Sequence, residues 1–269
     1  MSRPADRRGP RARPPVAFVL PAALALVFLA VPLAGVLAHT PWPDLVGHLS
    51  SPAVARALGL SLLVSGWALL LSFVLGVPLA WLLARVHFPG KALVRSLVLL
   101  PMVLPPTVAG VALLRGFGRN GLLGGVLEVL GATLPFSTAG AVVAAAFVAM
   151  PFLVISLEGA LNGLPPRYEE AAATMGATLP QTLRYVTLPM VMPSLASGAA
   201  LCWARALGEF GATITFAGNL PGVTQTLPLQ VYLLLQRDPA AATSVSLLLL
   251  AVAAAVLIAL RGRWLGHSR

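Results

Sequence analysis

The chain has 269 residues, of which 58% are hydrophobic and only 10% charged, with a mean hydropathy of +0.89. A soluble domain carries roughly 25% charged residues, so there is too little polar surface to cover a globule in water, and the water-soluble classes are excluded. The net charge of +10 comes from arginines that flank apolar runs and form no stripe, which points to membrane topology and not to nucleic acid.

Residues 1–15 hold Arg3, Arg7, Arg8, Arg11 and Arg13 among prolines and read as a basic cytoplasmic tail. The apolar run 16–38 is longer than the roughly 7–15 residues of a signal-peptide core. Although Val36-Leu37-Ala38 resembles a cleavage site, the run is expected to stay as the first transmembrane helix. Five further segments, near 57–84, 94–114, 138–160, 191–213 and 243–261, each approach the roughly 20 residues that cross a ~30 Å hydrocarbon core. The fold class is therefore all-α, a polytopic membrane protein with about six transmembrane helices.

Prolines are expected to interrupt several spans: Pro78 in the second, Pro101, Pro105 and Pro106 in the third, Pro151 in the fourth. Each removes a backbone bond that neighbouring helices must replace in lipid, so the spans form a packed bundle. Ser61, Ser65, Gly66, Ser72 and Gly76 are small residues that permit close helix contact. Glu128 is the only charge in the outer segment Gly121–Gly131, which is too short to span and is expected to lie at the interface as a connecting helix or to plug the outer mouth.

Cation placement sets the orientation. With the N-terminus inside, the inner regions hold the five tail arginines plus Arg85, Lys91, Arg95, Arg167, Arg184, Arg261, Arg263 and Arg269, thirteen in all. The outer regions hold four, Arg56, Arg115, Arg119 and Arg237. Both termini and the 160–190 loop are expected in the cytoplasm.

That loop is the most polar internal segment. Glu169 to Met175 suits about two helical turns, with Pro165 and Pro166 before it and Gly176 where a left-handed cap falls. Paired acids fit the positive end of a helix dipole, and Ala171, Ala172 and Ala173 leave a low surface for another protein's groove.

Catalytic chemistry finds no residues. Pro89-Gly90-Lys91-Ala92 lacks the first glycine and the Ser/Thr of a nucleotide-binding loop. His39, His48, His87 and His267 and Asp6, Asp44 and Asp238 all lie outside the spans, so neither a Ser–His hydrolase nor an aspartyl dyad can form at depth. No Cys/His cluster suits a metal, no cofactor is implied, and the lone Cys202 reads as packing.

Within the spans, Arg205 and Glu209 stand out as charges four residues apart on one helix face. Ionisable groups at depth mark a pathway or fix helix packing, and both readings stay open here. Glu158, at an inner helix end, reads as structural. After Glu209, the stretch Phe210–Asn219 is rich in glycine, threonine and asparagine. It is expected to be irregular backbone lining a cavity, with N–H and hydroxyl donors from Gly211, Thr213, Thr215 and Asn219 suited to an oxyanion.

Two motifs carry a resemblance. Glu170-Ala171-Ala172, three residues, Gly176, nine residues, then Val186-x-Leu188-Pro189 resembles the EAA loop of ABC-transporter membrane subunits. Arg205 to Phe216, with Gly218-Asn219-Leu220-Pro221-Gly222 and Thr224-Gln225-Thr226-Leu227-Pro228, is similar to permeases for molybdate and sulfate, and its wording favours the molybdate branch. Together they cover about residues 55–262.

The resemblance implies a type I importer permease bundle without its own ATPase site, in the inner membrane. Its partners would be cytoplasmic ATPase subunits, a second copy of the permease, a periplasmic oxyanion-binding protein and the lipid bilayer, with no nucleic acid. It implies that Glu169, Glu170, Ala171, Ala172, Gly176, Val186, Leu188 and Pro189 form the ATPase-coupling loop. Arg205, Glu209, Gly211, Thr213, Thr215 and Asn219 would lie on the translocation pathway. The cargo would be molybdate, with tungstate, sulfate and thiosulfate as alternatives; an ion-coupled secondary transporter using Glu209, or an anchored receptor, are the rival classes.

Overall fold

The computed structural model describes residues 16–264. The basic tail and Arg269 lie outside the described residues. The chain is all helical there: α1 Val16–Ala38, α2 Leu45–Leu49, α3 Pro52–Arg85, α4 Lys91–Val103, α5 Pro106–Phe117, α6 Gly124–Val129 and α7 Thr138–Gly163. They are followed by α8 Arg167–Thr174, α9 Leu179–Thr182, a π-helical turn Leu183–Thr187, α10 Leu188–Leu207, α11 Gly211–Phe216, α12 Leu227–Arg237 and α13 Pro239–Trp264.

Among the described residues, five helical stretches are long and apolar enough to cross a membrane. These are α1, α3, α7, the continuous run Leu179–Leu207, and α13. The expected single span at 94–114 is instead two pieces, α4 and α5. Leu104 and Pro105 are both extended, with ψ of 134° and 136°. Each precedes a proline, whose ring disfavours the helical conformation at the residue before it, and here two such restrictions fall in succession. The other prolines behave differently from expectation: Pro78, Pro101 and Pro151 all sit inside unbroken helices. A single proline costs one backbone bond, and packing within the bundle holds the helix together around it.

Ser51 and Ser137 start α3 and α7. Ser51 Oγ accepts the Val54 N–H at 3.3 Å, and Ser137 Oγ accepts the Gly140 N–H at 3.0 Å. Each cap satisfies a donor that the first helical turn leaves without a partner.

The core is built on α7, whose Ala141, Ala145, Ala149, Leu153 and Leu157 are buried against α3 and α10. On α3, Ser61, Ser65, Ala68, Ser72 and Gly76 form one buried face, as small residues at helical spacing permit. Gly66 turns outward, being off that face. The α1 helix touches α13 and is otherwise exposed along its length. In the outer segment, α6 is six residues long, with Leu122 and Val129 exposed beside and within it.

Candidate coupling loop and membrane-depth charges

The polar loop folds as its punctuation dictates. Leu164 is extended before Pro165, Pro166 takes a helical conformation, and α8 follows with Glu169 and Glu170 in its first turn. Gly176 stops it at φ +85°, a conformation costly for any side chain. The Gly176 N–H donates to the Ala173 carbonyl at 2.9 Å and the Ala177 N–H to that of Ala172 at 3.0 Å, so the helix end is closed.

The two glutamates part company. Glu170 is exposed, as are Ala171, Ala173 and Met175, while Ala172 is buried against the chain's own body. The outward surface is therefore Glu170, Ala171 and the C-terminal turn, not three alanines in a row. Glu169 turns inward. Its Oε1 accepts Thr187 Oγ–H at 2.8 Å and Arg85 Nη2–H at 3.2 Å. Arg85 Nε lies 3.0 Å from Oε2, as a close ion pair whose N–H is not aimed along the hydrogen-bond direction. The same Arg85 Nη2 reaches the Leu164 carbonyl at 3.4 Å. Beside this junction lies a cavity of about 340 Å³, bordered by Trp81, Ala173, Ala177 and Thr182.

Neither Arg85 nor Thr187 stands out as a site residue in the sequence; Arg85 reads there only as a topology signal. Its position as the last residue of a long helix is the one clue available beforehand.

Val186 lies in the π-helical turn, with Leu188 and Pro189 opening α10. Pro189 has no N–H and its ring crowds the carbonyl of Tyr185, so the turn widens, and Leu188 N–H bonds to Leu183 O instead. Nearby, Arg95 of α4 pairs with Glu158 of α7, Nε to Oε1 at 3.0 Å.

Arg205 occupies the last turn of α10, which ends at Leu207. Glu209 therefore stands just beyond the helix, yet the two charges still meet, with Nη1 2.6 Å from Oε2. The Glu209 side chain is 1% exposed and that of Arg205 is 29%. Glu209 Oε1 accepts the Ala212 N–H at 2.8 Å, capping α11.

That cap overturns one expectation. Residues 211–216 form a short helix in place of irregular backbone, and Glu209 takes the Ala212 N–H of its first turn. Thr215 Oγ–H donates to the Gly211 carbonyl at 2.9 Å, and Thr213 is buried. Asn219 Oδ1 accepts from Gln225 Nε2 at 3.0 Å. Glu209 Oε2 is in ion-pair contact with Arg205 but accepts no aligned hydrogen bond, and Thr226 Oγ is buried with no hydrogen-bond partner among the described residues.

Gly211 lies directly on Pro106 and Gly110 on Thr215, leaving no space for a Cβ at either glycine. The Leu227 N–H donates to Ser61 Oγ at 2.7 Å, tying α12 to α3. The structure thus brings Arg205, Glu209, Gly211, Thr213 and Thr215 together around α11. It leaves them apart from the polar loop, which sits at the other end of α10. Among the described residues no three His, Cys, Asp or Glu converge.

Residues 76–266 match the family of binding-protein-dependent transport system inner membrane components. The chain is 47% identical over 244 residues to the molybdenum transport system permease protein ModB of Mycobacterium bovis, covering 91% of this chain and 92% of that one. It is 36% identical over 238 residues to the sulfate transport system permease protein CysT of Salmonella typhimurium, covering 87% and 86%. Its fold matches a bacterial ABC transporter involved in import of the acidic polysaccharide alginate, with a TM-score of 0.75 at 21% identity, over 94% and 95% of the chains. A bundle of apolar helices, a capped polar loop between two of them and this agreement over most of its length lead to one conclusion: the chain belongs to the binding-protein-dependent inner membrane components and is a multi-pass permease subunit of an ABC importer.

Proposed function

We propose that the chain carries a tetrahedral oxyanion, molybdate, across the inner membrane, worked by separate ATPase subunits that grip α8. The observation that carries this reading is the division of labour on α8. Glu170, Ala171 and Met175 face out, while Glu169 is bound to the chain's own Arg85. A helix held by one face and bare on the other suits docking into a partner's cleft. The agreement with ModB over nine-tenths of both chains supports the cargo.

The assembly we infer has two copies of this chain, two ATPase subunits inside and a periplasmic oxyanion-binding protein outside, with both termini in the cytoplasm. Docking energy that differs between ATP-bound and ATP-free partners shifts the bundle between inward- and outward-open states. On the pathway, Arg205 offers a cation tempered by Glu209, so an anion is drawn without being trapped. The rival reading, a carrier driven by ion binding at Glu209, is disfavoured because Arg205 already neutralises the carboxylate and its Oε1 accepts the Ala212 amide.

The test is uptake by the reconstituted complex. ATP-dependent molybdate transport that persists without an ion gradient, blocked by tungstate and little affected by sulfate, is the expected result. Preferential competition by sulfate moves the chain to the sulfate permeases, and dependence on a proton or sodium gradient overturns the reading.

A further inference from the structure

We propose that Arg85 is a positioning residue that makes α8 a rigid extension of α3. Through it, movement of α8 passes into the bundle and is not lost as rotation of a weakly packed helix. This rests on the coupling reading above.

The need for such a residue follows from α8 itself. It is eight residues long, below the roughly 12–15 that hold a helix in isolation. Ala172 is its one buried residue, so apolar packing fixes it poorly. On one side Pro165 and Pro166 join it to α7, and on the other Gly176, at φ +85°, releases the chain. With so little buried surface of its own, a force applied to α8 would turn it in place.

Arg85 removes that freedom. It is the last residue of α3, a helix of 34 residues that spans about 50 Å at 1.5 Å per residue. Its guanidinium holds Glu169 of α8 and the Leu164 carbonyl at the end of α7. The same Glu169 carboxylate takes Thr187 Oγ–H, from the π-helical turn that leads into α10. One junction therefore joins the ends of α3, α7, α8 and the start of α10. The guanidinium fork suits this better than an ammonium, because it spans a carboxylate and a carbonyl at once. The two side chains are 16% and 22% exposed, so solvent screens the pair only in part. Glu169 acts inward, as the anchor, and Glu170 outward.

The experiment measures molybdate uptake and ATP hydrolysis together in the reconstituted complex. Arg85→Ala and Glu169→Ala lower uptake per ATP by about fivefold or more, and the exchange Arg85→Glu with Glu169→Arg recovers most of the loss. Arg85→Lys falls in between. Should the alanine variants not accumulate in the membrane, Thr187→Val decides: it removes one hydrogen bond at nearly constant shape, and it must lower the ratio. Glu170→Lys is the control for coupling itself. An unchanged ratio in the Arg85, Glu169 and Thr187 variants, with Glu170→Lys uncoupled, overturns the role of Arg85 and leaves the coupling reading standing. An unchanged ratio in all of them overturns both. A loss in the single variants that the exchange does not recover marks Arg85 as a packing residue and equally overturns the proposal.

Discussion

Glu209 divides its carboxylate between two helices, with Oε2 2.6 Å from Arg205 Nη1 on α10 and Oε1 accepting the Ala212 N–H at the start of α11. One side chain thus neutralises the arginine and caps the helix that follows the break. Removing it leaves a partly buried cation and an unsatisfied amide at once. Glu209→Ala is expected to cost about 3 kcal/mol, while Glu209→Gln keeps the cap and costs less. The melting temperatures of the purified complexes check this, with alanine below glutamine below wild type. Equal melting temperatures would show that the pair does not support the fold.

Arg205→Ala separates packing from transport. If the arginine serves the pathway, uptake falls at least tenfold, about 1.4 kcal/mol or more, and Arg205→Lys restores part of it. Uptake that survives Arg205→Ala intact assigns the pair to helix packing alone.

The contact of α11 on α5 is close enough to be tested by a single methyl. A Cβ on Gly211 would run into Pro106, whereas one on Gly66 of α3 meets nothing within 4 Å. Gly211→Ala should destabilise by about 1–3 kcal/mol through overpacking. Gly66→Ala should be neutral or slightly stabilising, since alanine is the better helix former. Thermal unfolding of the two variants side by side decides.

Gly176→Val forces a branched side chain into a left-handed backbone, at φ +85°, where strain is about 1–2 kcal/mol. Insertion is expected to be normal, because the residue is exposed and at a helix end. Uptake per ATP should fall, and normal uptake would count against a coupling role for α8.

Sidedness is readable by labelling. Cys202 is buried and is the single cysteine of the chain, so Met175→Cys adds one exposed thiol. With the permease expressed without its ATPase subunits, a membrane-impermeant maleimide should label Met175→Cys in inside-out vesicles and not in right-side-out ones. The reverse pattern places the loop outside and ends the ABC coupling reading.

Much of this was written in local chemistry. The long apolar runs, the Gly176 stop and the acidic first turn of α8 each follow from a few neighbouring residues, because helix length and capping are local matters. The break at Pro105–Pro106 was legible in part: tandem prolines disfavour helix at two successive residues. Lone prolines such as Pro151 did not break their helices, since the bundle around them supplies what the local chain lacks. The Arg205–Glu209 pairing was readable from spacing, though not that Glu209 would sit beyond the helix and cap the next one.

The sequence by itself determined the class, an apolar helical bundle with a polar loop between two of its helices, since hydropathy and motif spacing are properties of the chain in one dimension. Only the tertiary structure decided which of two adjacent glutamates points outward and which turns to the chain's own body. That choice depends on Arg85, 84 positions away along the chain from Glu169, and charges that distant meet only when α3 and the end of α7 have packed.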